Sequence, residues 1–252
     1  MGLSSNVLWH QTNKKGFFQI LKSQKLLYAY SLENSFSSMN GVQPETNESL
    51  AFPMISLSDI PICEMPHNKW AYGNYAIGFS REWSITNKFT PVWYCEPNSA
   101  AYKLLNQLTI KAIIDDDIKR TGNYLYLFSY MKFIQGPLPR RRYKNYRFYD
   151  EREYRLIPLK EEWDNKFNPI LFEKDYYKYK EEHNNSSLLD VGVTFTPNDI
   201  RYLIVNSEYD KRRAEKLLMR NDDAAHIHIF TKSQILEDFI GIEHNVMTKI
   251  NK

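Results

Sequence analysis

Apolar and polar positions near the start of the chain follow a strand pattern and then a helix pattern. A short apolar stretch beginning at Leu8 leads to Thr12, after which Phe17, Ile20 and Leu21 recur at helical spacing. Threonine is a common helix N-cap because its hydroxyl accepts a hydrogen bond from a backbone N–H of the first turn. The pattern therefore predicts a strand followed by a short helix that Thr12 caps.

Short apolar runs in the middle of the chain predict further strands, and one long amphipathic segment predicts a helix. The predicted strands are residues 52–57, 72–79, 91–95, 124–134 and 152–157. Asn98 or Ser99 can cap the helix, whose apolar positions extend to Ile113 before the acidic run 115–117. Because carboxylates oppose the dipole at a helix C-terminus, this helix either ends before the run or faces a basic partner.

The C-terminal part of the chain alternates between strand and helix patterns. We predict a charged helix or loop over 174–185, strands at 193–195, 200–205 and 226–230, and helices at 210–219 and 233–239. No internal repeat or low-complexity linker divides the sequence. We therefore predict an α+β fold over residues 1–252, a single compact domain with a central mixed or antiparallel sheet.

Composition narrows the class of protein. The 252 residues are 42% hydrophobic and 25% charged, as in an ordinary globular chain. No apolar run is long enough to span a membrane and the N-terminus has no signal-peptide pattern, so we expect a cytoplasmic protein without membrane partners. Cys63 and Cys95 lack the spacing of a zinc site, and His226 with His228 has no third ligand, so we expect no metal. Because the net charge is only +3, nucleic-acid binding requires a local basic patch.

Two glutamates are the strongest candidates for catalytic residues. Glu151 directly precedes the predicted strand 152–157, and Glu153 lies within it. In an extended strand Glu151, Glu153 and Arg155 project from one face, because side chains two apart share a face. Paired acids in one environment can take unequal pKa values and serve as base and orienting group. The alternative is an exposed charged strand face without chemistry.

A second candidate lies at the start of the chain and a third in its middle. His10 stands at a predicted strand end beside a helix N-terminus, where it could donate a hydrogen bond to a ribose hydroxyl or phosphate. A structural histidine is the alternative.

The aromatic segment that contains Tyr72 and Tyr75 could form one wall of a cleft and stack a planar ring, although aromatics of this density also fill cores.

A basic, aromatic loop precedes the paired glutamates. Its positive residues are Arg140, Arg141, Arg142, Lys144 and Arg147, with tyrosines between them. Such a loop can bind phosphates and stack unpaired bases, so it is a candidate nucleic-acid or substrate docking site. A solvated basic loop is the alternative interpretation.

Several segments taken together resemble the AbiGi family of abortive phage-resistance proteins. They are Leu8–Thr12, Phe18 with Leu21, Ser31 with Glu33, Pro53–Pro61, His67, Tyr72–Gly78, Glu82–Trp83, Pro91–Val92 and Glu151–Arg155. The resemblance covers residues 1–160, which we expect to form a cleft that residues 161–252 complete. It implies a role in phage defence, as one half of a toxin-antitoxin pair, with a cognate toxin or antitoxin protein as partner.

The opening His10-Gln11-Thr12 and the helix after it are similar to the start of DarT-type ADP-ribosyltransferases. That second resemblance implies an ADP-ribosyltransferase-like fold, NAD as substrate and no metal. It also implies roles for the candidate residues: His10 would hold the ribose, Tyr72 would stack the nicotinamide, and Glu153 would be catalytic with Glu151 beside it. The remaining predicted NAD contacts are Thr12, Tyr75 and Arg155.

These features leave three hypotheses about function. The first is a transferase that moves ADP-ribose from NAD to nucleic acid or protein, with Glu153 stabilising the oxocarbenium-like transition state. The second is a non-catalytic antitoxin that binds a partner toxin or RNA through residues 140–147. The third, a nuclease that holds Mg²⁺ with Glu151, Glu153 and the acidic run 115–117, lacks a recognisable metal-site spacing.

Overall fold

A computed structural model describes residues 6–33, 49–65, 72–138, 143–158, 167–186, 188–218 and 225–237. The elements in chain order are β1 (Val7–Thr12), α1 (Lys14–Ser23), β2 (Lys25–Glu33), β3 (Leu50–Ser58), β4 (Tyr75–Ser80), α2 (Arg81–Thr86), β5 (Thr90–Pro91), β6 (Trp93–Cys95), α3 (Ala100–Ile114), α4 (Ile118–Phe128), β7 (Met131–Phe133), β8 (Gln135–Leu138), β9 (Tyr143–Arg147), β10 (Glu153–Leu156), β11 (Leu171–Phe172), α5 (Glu173–Glu182), β12 (Leu188–Thr194), β13 (Ile200–Val205), α6 (Glu208–Leu218) and β14 (His228–Thr231). Residues 232–237 are also helical.

The chain divides into two compact units. The first unit contains Met1–Leu26, Leu57–Lys88 and Val193–Lys252, and the second contains Leu27–Ser56 and Phe89–Gly192. None of the helices in the described ranges is long and apolar enough to cross a bilayer.

The first unit contains a mixed sheet in which β4 lies between β1 and β13. β1 runs antiparallel to β4, from Val7 opposite Ser80 to Thr12 opposite Tyr75. β4 is also antiparallel to β13, whereas β13 and β14 are parallel. One apolar cluster of this unit consists of Val7, Trp9, Met65, Ala76, Ile204 and Ile235. Because β4 is buried along its whole length, it lacks the alternation of a strand that faces water.

Helix α1 follows β1 after a single residue, as the apolar spacing predicts. Phe17, Phe18 and Leu21 form its buried face. The predicted cap was wrong by one residue: Asn13 accepts the hydrogen bond from the Gly16 N–H at 2.9 Å, and Thr12 is the last residue of β1. Asn and Thr are both good N-caps, so the sequence alone did not distinguish the two positions.

The second unit combines the long strands β2 and β3 and several short strands with the helices α3, α4 and α5. β2 and β3 pair antiparallel, from Ala29 opposite Met54 to Glu33 opposite Leu50. β10 pairs with β5, and β6 runs parallel to β7. One apolar cluster of this unit consists of Leu50, Phe52, Met54, Cys95, Tyr102, Phe128, Met131 and Ile157. The prediction of helices combined with a central mixed or antiparallel sheet is confirmed, and the sheet is mixed, whereas likeness to the ADP-ribosyltransferase fold stays a prediction.

The strand predicted over 124–134 is wrong for most of its length. Residues 118–128 form α4, and only Met131–Phe133 is a strand. The side chain of Asp117 caps α4 by accepting a hydrogen bond from the Arg120 N–H at 2.9 Å. Aromatic residues favour strands on average, but this N-cap together with packing of Phe128 in the apolar cluster overrides that preference.

Candidate functional site

A cluster of five charged side chains lies in the second unit and contains the paired glutamates that the sequence singled out. We define this ion-pair cluster as Glu33, Lys132, Glu151, Glu153 and Arg155. β2 supplies Glu33, β7 supplies Lys132 and β10 supplies Glu153 and Arg155. Glu151, Glu153 and Arg155 are only 2%, 5% and 0% exposed. The alternative of an exposed charged strand face is therefore wrong.

Glu153 accepts four hydrogen bonds on its two carboxylate oxygens. Oε1 accepts from Ser56 Oγ at 2.7 Å and from Arg155 Nε at 2.8 Å. Oε2 accepts from Lys132 Nζ at 2.8 Å and from Arg155 Nη2 at 3.1 Å. A carboxylate offers about four lone-pair positions, so these donors occupy its whole capacity.

Arg155 binds three different acceptors and is fully buried. Besides Glu153, its guanidinium donates to Glu33 Oε1 at 2.9 Å and to the carbonyl oxygen of Ser129 at 2.6 Å. The planar fork of donors on a guanidinium suits such a simultaneous contact with two carboxylates. Arg155 therefore ties β2, β10 and the segment before β7 together.

Lys132 joins the second glutamate to the cluster. Its Nζ donates to Glu151 Oε2 at 3.2 Å as well as to Glu153, and it lies 4.6 Å from the centre of the Phe148 ring. The hydroxyl of Tyr146 forms a further hydrogen bond with Glu151. Burial and the negative charge of Glu151 raise the pKa of Tyr146 well above its usual range, so this hydroxyl keeps its proton.

Opposite charges decide the ionisation of the central pair. Burial by itself raises the pKa of Glu153, but the charges and hydrogen bonds of Arg155 and Lys132 outweigh it and hold that pKa well below its usual range. Burial by itself lowers the pKa of Arg155, but Glu153 and Glu33 outweigh it and hold that pKa above its usual range. Glu153 is therefore an ionised carboxylate at physiological pH.

The geometry around Glu151 differs from the sequence prediction. The strand begins at Glu153, and Glu151 ends a 3₁₀ turn that spans Phe148–Glu151. Arg152 links the two with a left-handed backbone at φ 43°. Glu151 nonetheless reaches the cluster because Lys132 lies between it and Glu153. The predicted proximity of the three residues is confirmed, although an extended strand does not produce it for Glu151.

Sequence reasoning missed Lys132 altogether and named Glu33 only within a family resemblance. One signal for Lys132 was available, since it is the only charged residue in the aromatic run 124–134. A buried charge inside an apolar segment needs an opposite charge, so this position indicates a partner elsewhere in the chain. Nothing in the local pattern identified Glu33 as that kind of partner.

The predicted NAD contacts near the start of the chain belong to the first unit. His10 lies half-buried on β1 opposite Ile77, and Thr12 is opposite Tyr75. Tyr72 is half-buried in the turn before β4. Glu151, Glu153 and Arg155 belong to the second unit. The proposed NAD roles of all these residues stay predictions.

Tyr75 takes part in a smaller polar cluster around Asp210, a residue that sequence reasoning did not select. The Tyr75 hydroxyl donates to Asp210 Oδ2 at 2.8 Å, and Ser207 Oγ donates to the same oxygen at 2.9 Å. Lys14 Nζ pairs with Asp210 Oδ1 at 2.7 Å. The Tyr75 ring also packs against Phe17 and Phe18. Tyr75 therefore anchors β4 to α1 and α6, in agreement with the alternative interpretation that the aromatics of this segment fill a core.

The basic loop is described only in part. Arg140, Arg141 and Arg142 lie outside the described residues, so their predicted contact with nucleic acid stays a prediction. Lys144 is exposed on β9, which pairs antiparallel with β8. Arg147 Nε pairs with Asp150 Oδ1 at 3.3 Å.

Comparisons with known proteins identify a family and a curated relative. The family model described as putative abortive phage resistance protein AbiGi, antitoxin, matches residues 24–206. The abortive phage resistance protein AbiGi of Lactococcus lactis subsp. cremoris is 25% identical over 206 residues, which cover 69% of this chain and 80% of that protein. No solved structure matches the chain. Residues 24–206 include the whole ion-pair cluster, whereas His10 and Thr12 precede them.

Proposed function

The chain belongs to the AbiGi family of abortive phage resistance proteins, and from this membership we propose that it is the antitoxin of an abortive-infection pair. In this proposal it acts by binding a protein toxin and has no catalytic step of its own. The description of the matching family as an antitoxin supports the role, and the relative from Lactococcus lactis supports the setting in phage defence.

The family match carries the antitoxin role, and the occupied carboxylate of Glu153 is the structural observation that supports the absence of a catalytic step. A transferase needs a carboxylate that reaches the ribose of its substrate, and all four acceptor positions of Glu153 receive donors from the chain itself. A substrate hydroxyl would have to displace Lys132, Arg155 or Ser56. Removing one partner from a buried ion pair leaves an uncompensated charge and costs about 3 to 5 kcal/mol. The arrangement favours a cluster that stabilises the fold over one that performs chemistry.

Co-expression tests the antitoxin role. The gene for this chain and each gene that flanks it in its own genome are expressed in bacteria, separately and together. We expect one flanking product to arrest growth, this chain alone to be harmless, and the two together to restore growth. Growth arrest by this chain alone, or no rescue of any toxic neighbour, would contradict the proposal.

ADP-ribosyl transfer from NAD, the first hypothesis from the sequence, is untested, and release of nicotinamide by the purified chain tests it against the antitoxin proposal. We expect no release above the rate without protein, with mixed nucleic acid and lysate protein offered as acceptors. If release occurs, Glu153→Gln alone does not identify the catalytic group. The amide would direct its own N–H donors at Lys132, Arg155 or Ser56, so the variant needs a folding measurement beside its activity.

A further inference from the structure

Helices α1 and α6 of the first unit lie side by side and run in the same direction. Near the start of both helices, Lys14 Nζ pairs with Asp210 Oδ1 at 2.7 Å. One turn further along each helix, the guanidinium of Arg213 lies 3.9 Å from the centre of the Phe18 ring. These two contacts identify the side of each helix that faces the other.

Four exposed lysine and arginine side chains follow this side of the two helices. We define the basic stripe as Lys15, Lys22, Arg213 and Lys216. Lys15 is three residues before Phe18 and Lys22 is four residues after it, so helical geometry places both on the side of α1 that Phe18 occupies. Lys216 follows Arg213 by three residues on α6 and shares its side in the same way. Because Lys15 and Lys22 lie about 10 Å apart along the axis, the stripe extends over two helical turns.

Acidic residues do not compensate the basic stripe within the described part of the chain. None of its four cations forms an ion pair with a described residue, and α1 contains no acidic residue. On α6, Glu208 and Glu215 lie on the side away from Arg213 and are three or four residues from Lys211 and Arg212. The charges of that side therefore balance, whereas those of the stripe do not.

The placement of these cations is unfavourable for the folded chain alone. Lys15 stands in the first turn of α1, where the helix dipole favours acidic residues, and that turn has none. Cations gathered on one surface also repel one another. Helix α5 shows the usual arrangement, since its first turn is acidic and Lys178 pairs with Glu182 at 4.0 Å. An anionic partner on the stripe would offset the repulsion.

An exposed tyrosine lies beside the basic stripe. Tyr209 precedes Arg213 by one turn of α6, and its side chain is 67% exposed. Lys14 Nζ lies 5.8 Å from the centre of its ring, so the ring is on the side of α6 that faces α1. Cations that follow a phosphate backbone, together with a ring on which a base stacks, are the features with which proteins bind single-stranded nucleic acid. An acidic protein segment would use the cations but would not need the exposed ring.

We propose that the basic stripe and Tyr209 bind a single-stranded nucleic acid, with phosphates along the stripe and a base stacked on the tyrosine ring. This inference goes beyond the antitoxin function and does not depend on it. A duplex suits the surface less well, because its bases already stack on one another and leave Tyr209 without a partner.

Fluorescence anisotropy with labelled oligonucleotides tests the proposal. The probes are an RNA strand of about 20 nucleotides, a DNA strand of the same mixed sequence and the corresponding DNA duplex. The double variant Lys22→Gln/Lys216→Gln removes two charges from the stripe. Lys174→Gln/Lys178→Gln removes two charges from exposed positions of α5 and serves as the matched control. All four positions are exposed, so both variants should keep the melting temperature of the wild type.

The salt dependence of binding separates contact with phosphates from other effects. For single strands, the logarithm of the binding constant falls with the logarithm of the salt concentration by about 0.7 per neutralised phosphate. We expect Lys22→Gln/Lys216→Gln to make this slope shallower by about 1.4 and to raise the dissociation constant about tenfold at low salt. The α5 control should keep the slope and change the constant by no more than about twofold.

Replacing the exposed ring tests the stacking contact. Tyr209→Ala should raise the dissociation constant for a single strand at least about fivefold and leave that for the duplex unchanged. Tyr177→Ala removes an exposed tyrosine of α5 and should change neither constant by more than about twofold.

Each result decides for or against the proposal. Binding of either single strand with these changes supports it, and the tighter of the two strands identifies RNA or DNA as the ligand. No binding of any probe at low salt would overturn it, as would equal weakening by both double variants. Tighter binding of the duplex that Tyr209→Ala leaves unchanged would exclude a single strand. If the stripe variant binds every probe as the wild type does but no longer rescues a toxic neighbour, the surface binds an acidic protein and the proposal is wrong.

Discussion

Glu153 in the second unit and Asp210 in the first are both buried carboxylates, but their neighbours differ in kind. Glu153 is held by Lys132 and Arg155, and both of these cations are themselves buried. Asp210 is held by the hydroxyls of Tyr75 and Ser207 and by Lys14, whose side chain is 50% exposed. Water can therefore replace one partner of Asp210, whereas every charge around Glu153 depends on another buried charge. The arrangement around Asp210 therefore tolerates the loss of a partner, whereas the arrangement around Glu153 does not.

Arg155→Met should have the largest effect, because it leaves Glu33 and Glu153 without their shared cation. We expect the free energy of unfolding to fall by about 3 to 5 kcal/mol, as when one partner of a buried ion pair is removed. Urea unfolding followed by circular dichroism measures this change. Arg120→Met, which breaks an exposed pair with Asp117, serves as the control and should lower it by no more than about 1 kcal/mol. If both variants lowered the free energy of unfolding by a similarly small amount, the buried ion pairs of Arg155 would contribute no more than the exposed pair of Arg120.

Asp210→Asn should have an intermediate effect that depends on pH. Burial opposes ionisation of Asp210, but hydrogen bonds from Lys14, Tyr75 and Ser207 outweigh it and lower the pKa. The folded state therefore binds fewer protons than the unfolded state between its own lowered pKa and about pH 4, the usual pKa of a free aspartate. The stability that ionised Asp210 contributes is present above that pH and is lost as the pH falls through the folded pKa.

We expect Asp210→Asn to lower the free energy of unfolding by about 1 to 3 kcal/mol at pH 7 and to approach the wild type in acid. Urea midpoints measured from pH 7 down to pH 2.5 test this difference. Asp190→Asn, at an exposed position of β12, should follow the wild type throughout. A difference at residue 210 that stays constant with pH would show that the charge of Asp210 contributes nothing.

Lys14→Ala should have the smallest effect. Its ammonium pairs with Asp210 but is half-exposed, so water and salt screen the interaction. We expect a loss of at most about 1 kcal/mol that shrinks further in 0.5 M salt, measured by the same unfolding transitions. A loss as large as that of Arg155→Met would mean that the two carboxylates depend on their cations to the same degree.

The sequence predicted elements whose own residues carry the signal. Ser99, one of the two predicted caps, caps α3, and the alternation of strand and helix after residue 193 agrees with β13, α6 and β14. These predictions succeed because capping and periodicity are local. The strand over 124–134 failed because an N-cap at Asp117 and packing of Phe128 decide the conformation of that segment.

The candidate site could be predicted only in part for the same reason. Glu151, Glu153 and Arg155 are close in sequence, so their spacing indicated that they meet. Glu33 and Lys132 reach Arg155 and Glu153 from other strands, and the pairing of those strands is a property of the whole fold. Asp210 escaped notice because, in sequence, it is one charged residue among many in α6.

Gly73 limits which amino acids the chain can accept at this position. Its backbone takes φ 146°, and a Cβ at this position would overlap the carbonyl group of Thr12 just before α1 begins. Both the conformation and the missing side chain are thus required where the turn before β4 meets the end of β1. In a library that samples every amino acid at each position, selection for folded protein should recover glycine alone at position 73. Exposed positions such as Asp190 should accept most replacements.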